Sequence, residues 1–558
     1  METRQALAAL AAVLACAACQ PQVEEPVATS VATISRPTFE ITTDKVFDAA
    51  AIGSYAGNHE DVYAYIEDHQ VEHIAHLQRW VQQRSISAQN DGIQEMAELL
   101  KADFESMGFA EAEIVPTDGH PGVWGYYDAG AERTLMVYMM YDVQPVNPED
   151  WQTPPFAGSL IDDKERGTIL MARGATNQKG PERAFLNAVE SIIATRGTLP
   201  VNLMITAEGE EEIGSVNYPQ IVDKYEERLR TAQGVFFPFN SQDLSGQTSM
   251  ILGVKGIIYF ELEARGGPHG GPTRSEIHGS LKAIVDAPVW RLVQALSTLV
   301  SEDGNTILVP GYYDDILPPS EEEQMLINAT LANPDDSEQV KKVLGVERWI
   351  DDWDRRQATL NALYMPTLNI DGIWGGYTEE GSKTILPHKA NAKVDSRLPP
   401  GMDPDKAFAM IMKHLVDNGF DDIKVNWSEG YPPAQTSVSE PWVQVAISVF
   451  NKYSDPPEIS PRTTGSAPFY LFTDRLNLPL VPAGMGHGSG AHAPNEYMVI
   501  KAKEGSGVLG LSEVEKTYAD LLFAFAEAEF NESKPAGSGK REAASGADAA
   551  TDKGTSNE

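Results

Sequence analysis

The chain has 558 residues and a formal net charge of -38 at pH 7, with 43 Lys and Arg residues against 81 Asp and Glu residues. This excess of negative charge repels phosphate backbones and anionic head groups, so it excludes nucleic acid as a partner. One hydrophobic core rarely extends over a chain of this length, and 42% apolar residues are enough to fill two domains.

The N-terminal residues predict a lipoprotein signal peptide. Arg4 precedes an apolar run, Ala6–Ala15, which is too short to span a bilayer but has the length of a signal-peptide core. The chain's two cysteines, Cys16 and Cys19, follow small or apolar residues, as in a lipoprotein cleavage box. Either cysteine suits acylation, and a plain cleaved signal peptide is the alternative. We expect residues 1–19 to be the lipoprotein signal peptide. The mature protein is then expected in a bacterial periplasm, anchored by lipid to the outer membrane.

Composition marks two segments outside the folded body. Residues 20–55 begin with Pro, Val, Thr and Glu in no clear period, which predicts a flexible tether. Residues 533–558 are mostly Gly, Ala, Ser, Lys and Glu, which predicts a disordered tail. No cysteine follows Cys19, so we expect packing rather than disulfide bonds to stabilise the body.

Predicted strands then alternate with predicted helices, which favours a parallel or mixed sheet with helices on its faces. Short apolar runs predict buried strands at Thr134–Val143 and Val201–Ala207. Helical spacing or a glycine stop predicts three helices: one through Phe185, Ala188, Val189, Ile192 and Ile193; one at Pro404–Asn418, ended by Gly419; and one at Leu511–Phe530.

A second domain is predicted between residues 250 and 428. It begins with one long strand-like run, Met250–Arg265, and has another near its end, Lys389–Leu398. Residues 56–249 and 429–532 are then the two parts of a first domain into which it is inserted.

Four polar stretches stand out, because loops at the carboxyl ends of parallel strands are where an open α/β sheet places its site. They are Met139-Met140-Tyr141-Asp142-Val143-Gln144-Pro145, Ala172-Arg173-Gly174-Ala175-Thr176-Asn177-Gln178-Lys179-Gly180, Glu208-Gly209-Glu210-Glu211-Glu212-Ile213-Gly214-Ser215 and Gly490-Ala491-His492-Ala493-Pro494-Asn495-Glu496. Of two adjacent acidic residues, one can bind a cation while the other holds a water as general base. A glutamate run alone is usually a solvated turn, and a lone histidine is usually structural. Their combination is informative.

That combination resembles the zinc dipeptidase family of carnosinase, carboxypeptidase G and acetylornithine deacetylase, in metallopeptidase clan MH. The family's motifs read Gly-His-x-Asp-Val-x-Pro, Arg-Gly-Ala-x-Asp-Asp-Lys-Gly, Glu-Gly-x-Glu-Glu-x-Gly-Ser and His-x-Pro-Asn-Glu, and versions of all four occur here in order. Ile370–Tyr377, Lys383–Pro387 and Asp395–Pro400 are also similar to family stretches. The resemblance implies an α/β fold: a mixed-sheet, zinc-exopeptidase-like catalytic domain with an inserted α+β lid through which the chain forms a homodimer.

In the family, two metals share a bridging aspartate. For one metal, the resemblance gives Asn177, Glu212 and His492, so two strong ligands remain and the bridging acid becomes an amide. Glu211 stands where the family keeps its general base, and Asp142 where it orients a metal-bound histidine. Because catalytic zinc commonly has three protein ligands and a water, we expect about one zinc ion per chain.

The other metal site is degenerate. Its ligands correspond to Asn177, Met140, and either Phe239 or Asn240, since the alignment is uncertain by one residue. An amide, a thioether and a phenyl ring cannot hold zinc as imidazole and carboxylates do, so we expect this metal to be absent.

Other residues resemble the family's substrate-binding groups. His278 resembles the lid histidine that polarises the substrate carbonyl, often across a dimer interface. Arg397 resembles the arginine that binds the substrate's carboxylate, a task that suits its bidentate fork. Gly465 and Ser466 resemble a substrate-side Gly-Gly-Ser turn. The implied substrate is a small peptide or an N-acyl amino acid.

Three hypotheses follow from these residues. The first is hydrolysis of a dipeptide or N-acyl amino acid with one metal and with Glu211 as base. The second is a non-catalytic peptide-binding lipoprotein, and the third is a metal-independent amide hydrolase that uses Glu211 with His278. Without metal, the attacking water keeps a pKa of about 15.7 instead of about 7, so ordinary family chemistry would largely stop.

Overall fold

The computed structural model describes residues 34–530. Residues 34–36 are assigned to a separate unit, and the fold described here is that of residues 37–530. The predicted signal peptide, residues 20–33 of the predicted tether and the predicted tail at 533–558 lie outside the described residues. The rest of the predicted tether is described, and Phe39 within it packs in an apolar cluster with Tyr364. Within the described residues, no helix combines the length and the apolar character needed to cross a membrane.

The described part of the chain forms twelve α-helices. They are α1 Glu60–Asp68, α2 Gln70–Gln82, α3 Ile93–Ser106, α4 Lys179–Arg196, α5 Tyr218–Leu229, α6 Pro288–Leu299, α7 Glu321–Ala332, α8 Ser337–Leu344, α9 Arg355–Tyr364, α10 Pro404–Asp417, α11 Pro441–Tyr453 and α12 Leu511–Glu527. The predicted helix at Leu511–Phe530 therefore ends three residues early, and Gly419 follows the C-cap of α10 with a φ of 77°.

The same residues form twenty strands. They are β1 Glu111–Val115, β2 Gly122–Tyr127, β3 Thr134–Met140, β4 Ser159–Asp163, β5 Gly167–Met171, β6 Asn202–Glu208, β7 Gly234–Pro238, β8 Ser249–Ile251, β9 Gly253–Val254, β10 Gly256–Arg265, β11 Ile277–His278, β12 Asn369–Trp374, β13 Ile385–Leu386, β14 Lys389–Leu398, β15 Lys424–Tyr431, β16 Ala434–Gln435, β17 Glu458–Ser460, β18 Leu480–Ala483, β19 Gly488–Ser489 and β20 Tyr497–Ala502.

The main sheet has six strands in the order β1-β2-β6-β3-β7-β18. Strands β6, β3, β7 and β18 run parallel, while β1 and β2 are antiparallel to their neighbours, so the predicted mixed sheet is confirmed. Both faces of β3 and β6 are buried, which explains their continuous apolar sequences. The carboxyl ends of the four parallel strands lie at one edge of the sheet.

Helix α4 covers this sheet and confirms the predicted helical spacing. Phe185, Ala188, Val189 and Ile192 are fully buried on it, and they belong to the main apolar cluster together with residues of α2, α3 and α12. Burial of an apolar side chain of this size stabilises the fold by about 1.5–3 kcal/mol. The first turn of α4 follows the second polar motif directly, so this packing fixes the position of that motif.

A second, four-stranded antiparallel sheet has the order β12-β14-β10-β15. Ile258 and Phe260 of β10 lie on one face and pack in an apolar cluster with Leu292 of α6 and Ile411 of α10. The other face is free of these helices. This sheet and its helices form the lid; its last strand ends at Tyr431, three residues beyond the predicted limit, and the domain boundaries stay a prediction.

The predicted strand Met250–Arg265 is wrong as one element, because the structure divides it into β8, β9 and β10. Each piece pairs with different strands: β8 with β17, β9 with β16, and β10 with β14 and β15. The breaks fall near Gly253 and Gly256, where a Cβ atom would meet the backbone of Ala434 and Tyr431. The chain passes from the catalytic domain into the lid through these breaks.

Candidate active site

Neighbouring strands of the main sheet bring the first and third polar motifs together. Met140 at the end of β3 lies opposite Glu208 at the end of β6, so the residues that follow leave the sheet side by side. The buried carboxylate of Asp142 accepts hydrogen bonds of 3.1 Å from the backbone N–H groups of Glu211 and Glu212. The first motif thereby fixes the short helical turn that carries both glutamates.

A smaller sheet brings the second and fourth motifs to the same place. Strands β5 and β20 pair with Met171 opposite Tyr497, so the loop after β5 meets the loop before β20. The two loops are joined through Glu496, which is completely buried.

Glu496 is the anchor of the second motif. It accepts hydrogen bonds from Arg173 Nη1 at 2.6 Å, from the N–H of Gly174 at 3.1 Å, and from the N–H groups of Thr176 and Asn177 at 2.9 Å. The Asn177–Gln178 peptide bond is cis. Glu496 therefore sets the position of the Asn177 side chain.

All of these loops meet at the carboxylate of Glu212, whose side chain is only 3% exposed. Asn177 Nδ2 donates to Oε1 at 2.7 Å, and Gln144 Nε2 donates to Oε2 at 2.8 Å. Nε2 of His492 lies 3.0 Å from the same Oε2, on an exposed loop in which His492 has a φ of 62°. Of the sequence-predicted residues, the structure brings together Asp142, Asn177, Glu211, Glu212 and His492.

Burial dominates the electrostatics of this centre. It raises the pKa of Glu211 to about 8, and the charges of Glu212 and Asp142 add to the shift. It also raises the pKa of Asp142 to about 7, although two backbone N–H groups donate to this carboxylate. The hydrogen bond with Glu212 raises the pKa of His492 and so favours its imidazolium form. His492 contacts Glu212, while Glu211 and Asp142 add two further carboxyl groups close by, and such an environment attracts a cation.

The residues at the second metal position do not fit a divalent ion. Met140 is buried in an apolar cluster, and Phe239 packs against the same cluster with its ring edge-on to Phe237. Asn240 Nδ2 donates to Thr176 Oγ1 at 3.0 Å, while its buried Oδ1 accepts no hydrogen bond from the described residues. These positions offer at most neutral amide oxygens, where zinc requires imidazole, thiolate or carboxylate.

The first metal position fits one ion with two strong ligands. Two atoms that bind one zinc ion tetrahedrally at about 2.0–2.1 Å lie about 3.3–3.4 Å apart, and the 3.0 Å Glu212–His492 contact is within a few tenths of an ångström of that separation. Asn177 would be the third ligand if its amide turned Oδ1 towards the ion. Among the described residues, the one trio of acidic, His or Cys ligand atoms within 4.8 Å of one another is His269, Asp421 and Asp422, which belong to the lid.

The remaining predicted residues lie outside this centre. Arg397 on β14 is 35% exposed, and its Nε lies 3.3 Å from Asp395 Oδ1. Gly465 O accepts the N–H of Lys255 at 2.9 Å, and Ser466 Oγ donates to Gly256 O at 3.0 Å, so this turn holds the start of β10.

His278 is also outside the centre. It is exposed on β11, and its Nδ1 lies 2.7 Å from Ser280 Oγ. Within the described part of this single chain, no hydrogen bond or ion pair joins His278 to Glu211, Glu212 or His492. Its role, and those of Arg397, Gly465 and Ser466, stay predictions.

The sequence interpretation missed three residues of the site. Gln144 and Glu496 lie inside the first and fourth motifs, so their hydrogen-bonding capacity was visible there. Glu429 of β15 lies against Gly214, two residues after Glu212, so closely that a Cβ atom on Gly214 would collide with its carboxylate. No sequence signal marks Glu429, because its position depends on how the lid sits over the loop.

Comparison with known proteins agrees with the resemblance read from the motifs. Residues 136–505, which include all four motifs, match the model of Peptidase family M20/M25/M40. Beta-Ala-His dipeptidase of Rattus norvegicus is 30% identical over 420 residues, which cover 69% of this chain and 80% of that protein. Cys-Gly metallodipeptidase DUG1 of Candida albicans is 28% identical over 473 residues, covering 79% and 93%. The crystal structure of the M20 family metallo-carboxypeptidase Sso-CP2 from Sulfolobus solfataricus superimposes with a TM-score of 0.73 and 34% identity, covering 82% of this chain and 99% of that one.

Proposed function

Because this chain belongs to peptidase family M20/M25/M40, we propose that it hydrolyses the amide bond of a dipeptide or an N-acyl amino acid with a single zinc ion. The observation that carries the proposal is the 3.0 Å contact between Glu212 Oε2 and His492 Nε2, next to the half-buried Glu211. The proposal departs from a two-metal mechanism because Met140 and Phe239 lie in an apolar cluster.

In this proposal, Glu212, His492 and the amide oxygen of Asn177 hold the ion. When bound, such an ion activates a water and polarises the scissile carbonyl. The carboxylate of Glu211 takes the proton of the attacking water and delivers it to the leaving nitrogen. Asp142 accepts a hydrogen bond from the backbone N–H of Glu211 and so keeps Glu211 in place. Asp142 is therefore a positioning residue.

The substrate is held from the lid in the same proposal. Arg397 binds its carboxylate with a bidentate fork. His278 polarises the carbonyl from the second subunit of a homodimer. Exposed apolar side chains on the edge strand β12 support pairing through the lid, since Ile370, Ile373 and Trp374 are 47%, 50% and 42% exposed.

The second candidate is a non-catalytic peptide-binding protein. It is favoured by the hydrogen bonds at Glu212, because Asn177 and Gln144 already donate to its two oxygens and His492 contacts one of them. Such a carboxylate is satisfied without an ion. Calorimetry that detects no binding of any peptide in a small library would exclude this candidate. No contact among the described residues favours the metal-independent hydrolase over these two candidates.

The proposed hydrolysis is tested with purified protein supplied with zinc. Release of free amino acid is measured for a panel of dipeptides and N-acyl amino acids, with the Glu211→Gln variant as the matched control. Because a general base contributes about 10²–10⁴-fold, the proposal expects hydrolysis that falls by at least about 100-fold in the variant. Equal rates for both proteins, or no cleavage of any compound, would contradict it.

The cellular location is also part of the proposal. Arg4, the apolar run after it, and Cys16 or Cys19 support a lipid-anchored protein of the bacterial cell envelope. Labelling with a radioactive fatty acid would detect the anchor, and loss of the label in the Cys16→Ala or the Cys19→Ala variant would identify the acylated residue.

A further inference from the structure

The face of the lid sheet that its helices leave free carries opposite charges. Tyr259 of β10 lies opposite Glu429 of β15, and Ile257 lies opposite Arg397 of β14. Residues directly opposite in a sheet, and residues two apart along a strand, point to the same side. Glu429 and Arg397 therefore share one face, and Ile258 between them points into the lid core.

This charged face looks towards the catalytic turn. The Glu429 carboxylate lies directly over Gly214 and occupies the space that a side chain there would need. The φ of 101° at Gly214 also favours glycine. Tyr431, two residues further along β15, lies close enough to Glu211 for the charge of that glutamate to raise the pKa of Tyr431. The lid thus presents Glu429 at the proposed reaction centre.

Glu429 and Arg397 face the same space without meeting. Among the described residues, no ion pair of 4.0 Å or less joins them, although the charge of Arg397 lowers the pKa of Glu429 against the larger, opposite effect of burial. With strands about 4.8 Å apart and residues about 3.4 Å apart along a strand, their Cα atoms are about 12 Å apart. A dipeptide spans about 7 Å, so side chains reaching in from both sides can hold its two ends.

We propose that Glu429 binds the free α-ammonium group of an unblocked dipeptide while Arg397 binds its carboxylate, so that this chain prefers unblocked dipeptides to N-acyl amino acids. The inference rests on the proposed function for the location of the substrate. It narrows the substrate to zwitterionic peptides, because an acyl cap would leave a half-buried carboxylate without its cation.

The test uses matched ligands that differ by one amino group. A glycyl amino acid and the corresponding N-acetyl amino acid have the same carbonyl and the same C-terminal residue, and only the first has an ammonium group. Binding of such pairs, with leucine, histidine, lysine or glutamate as C-terminal residue, is measured by calorimetry on the full chain supplied with zinc. The Glu211→Gln background prevents turnover.

We expect at least one glycyl compound to bind about tenfold or more tightly than its N-acetyl counterpart, and the added Glu429→Gln substitution to remove that difference. The control Glu261→Gln lies on β10, on the same face of the sheet but further from Gly214, and it should retain the difference in affinity. Thermal unfolding confirms that each variant is folded.

Equal binding of both members of every pair, no binding of any glycyl compound, or a preference that survives Glu429→Gln would overturn the inference. Selective binding of a glycyl compound that the unsubstituted chain does not cleave would support the inference and contradict the proposed hydrolysis.

Discussion

Asn177 Nδ2 donates a hydrogen bond of 2.7 Å to Glu212 Oε1, at the position where the family resemblance places a bridging aspartate. An amide here removes one negative charge and turns a repulsion between carboxylates into an attraction. Two carboxylates at these positions would need a cation between them, whereas Asn177 and Glu212 pack together without one.

Restoring the acid should increase the affinity of the site for metal. In Asn177→Asp, a third strong ligand is added, so we expect zinc to bind at least about tenfold more tightly, as measured by competition with a chelating dye. In chelator the same variant should lose about 1–3 kcal/mol of unfolding free energy, because the hydrogen bond is replaced by repulsion.

Asn333→Asp is the matched control, because Asn333 Nδ2 also donates to a glutamate, Glu458, at 2.6 Å and away from the site. Zinc affinity that does not rise in Asn177→Asp, or that rises equally in the control, would contradict the assignment of Asn177.

Arg397 should recognise the substrate's carboxylate. For a cleaved dipeptide, we expect Arg397→Met to lower kcat/KM by about 10- to 100-fold, the effect of losing hydrogen bonds between charged groups. A dipeptide with a C-terminal amide should be cleaved poorly by both proteins. Arg265→Met, which removes an exposed arginine from the same sheet, is the control; a similar loss there would show that Arg397 acts only on the fold.

The Glu496 anchor predicts a large effect on stability. Glu496→Gln leaves the guanidinium of Arg173, which is 3% exposed, without its counter-charge, so the free energy of unfolding should fall by about 3–5 kcal/mol. Urea denaturation measures it. The control is Glu458→Gln, an exposed position, for which we expect a change within about 0.5 kcal/mol; a loss of less than about 1 kcal/mol in Glu496→Gln would refute the anchoring role.

Lys255 predicts how stability depends on pH. Burial, with smaller effects from Arg462 and Arg397, lowers its pKa from 10.5 to about 7, while Nζ donates to Met365 O at 2.7 Å. Between pH 7 and 10.5 the unfolded chain therefore binds a proton that the folded chain does not, so this residue makes stability rise with pH by up to about 1.4 kcal/mol per pH unit.

Urea denaturation of the unsubstituted chain and of Lys255→Met at several pH values between 7 and 10 measures this contribution. We expect the stability of the unsubstituted chain to rise relative to the variant as pH increases. Lys393→Met, at an exposed lysine of the lid sheet, should give a curve parallel to that of the unsubstituted chain; parallel curves for all three proteins would contradict the shift at Lys255.

The sequence predicted the parts of the fold whose local pattern agrees with their environment. The apolar runs of β3 and β6 are buried on both faces, and α4 buries the residues found at helical spacing. The run from Met250 to Arg265 was predicted as one strand because its side chains suit a strand throughout. Its division depends on four partner strands, β14, β15, β16 and β17, which lie far away in the sequence.

The candidate site shows the same division. The motifs identified Asp142, Glu211 and Glu212, which follow parallel strands that end at one edge of the main sheet, and His492, which lies in the loop before β20. The sequence does not predict that side-chain amides donate to both oxygens of Glu212. An asparagine at a ligand position indicates a poor metal ligand, but it is equally a good hydrogen-bond donor. No sequence pattern predicts Glu429 as a site residue, because its position depends on the packing of the lid against the catalytic turn.

The most direct test of the single-metal proposal is the metal content of the protein. The chain is expressed, purified without chelator in the presence of zinc, and analysed by elemental mass spectrometry beside a His492→Ala variant. The account predicts about one zinc ion per chain, and its loss in the variant, because Glu212 alone is then the remaining strong ligand. No zinc in the unsubstituted protein, or two ions per chain, would contradict it.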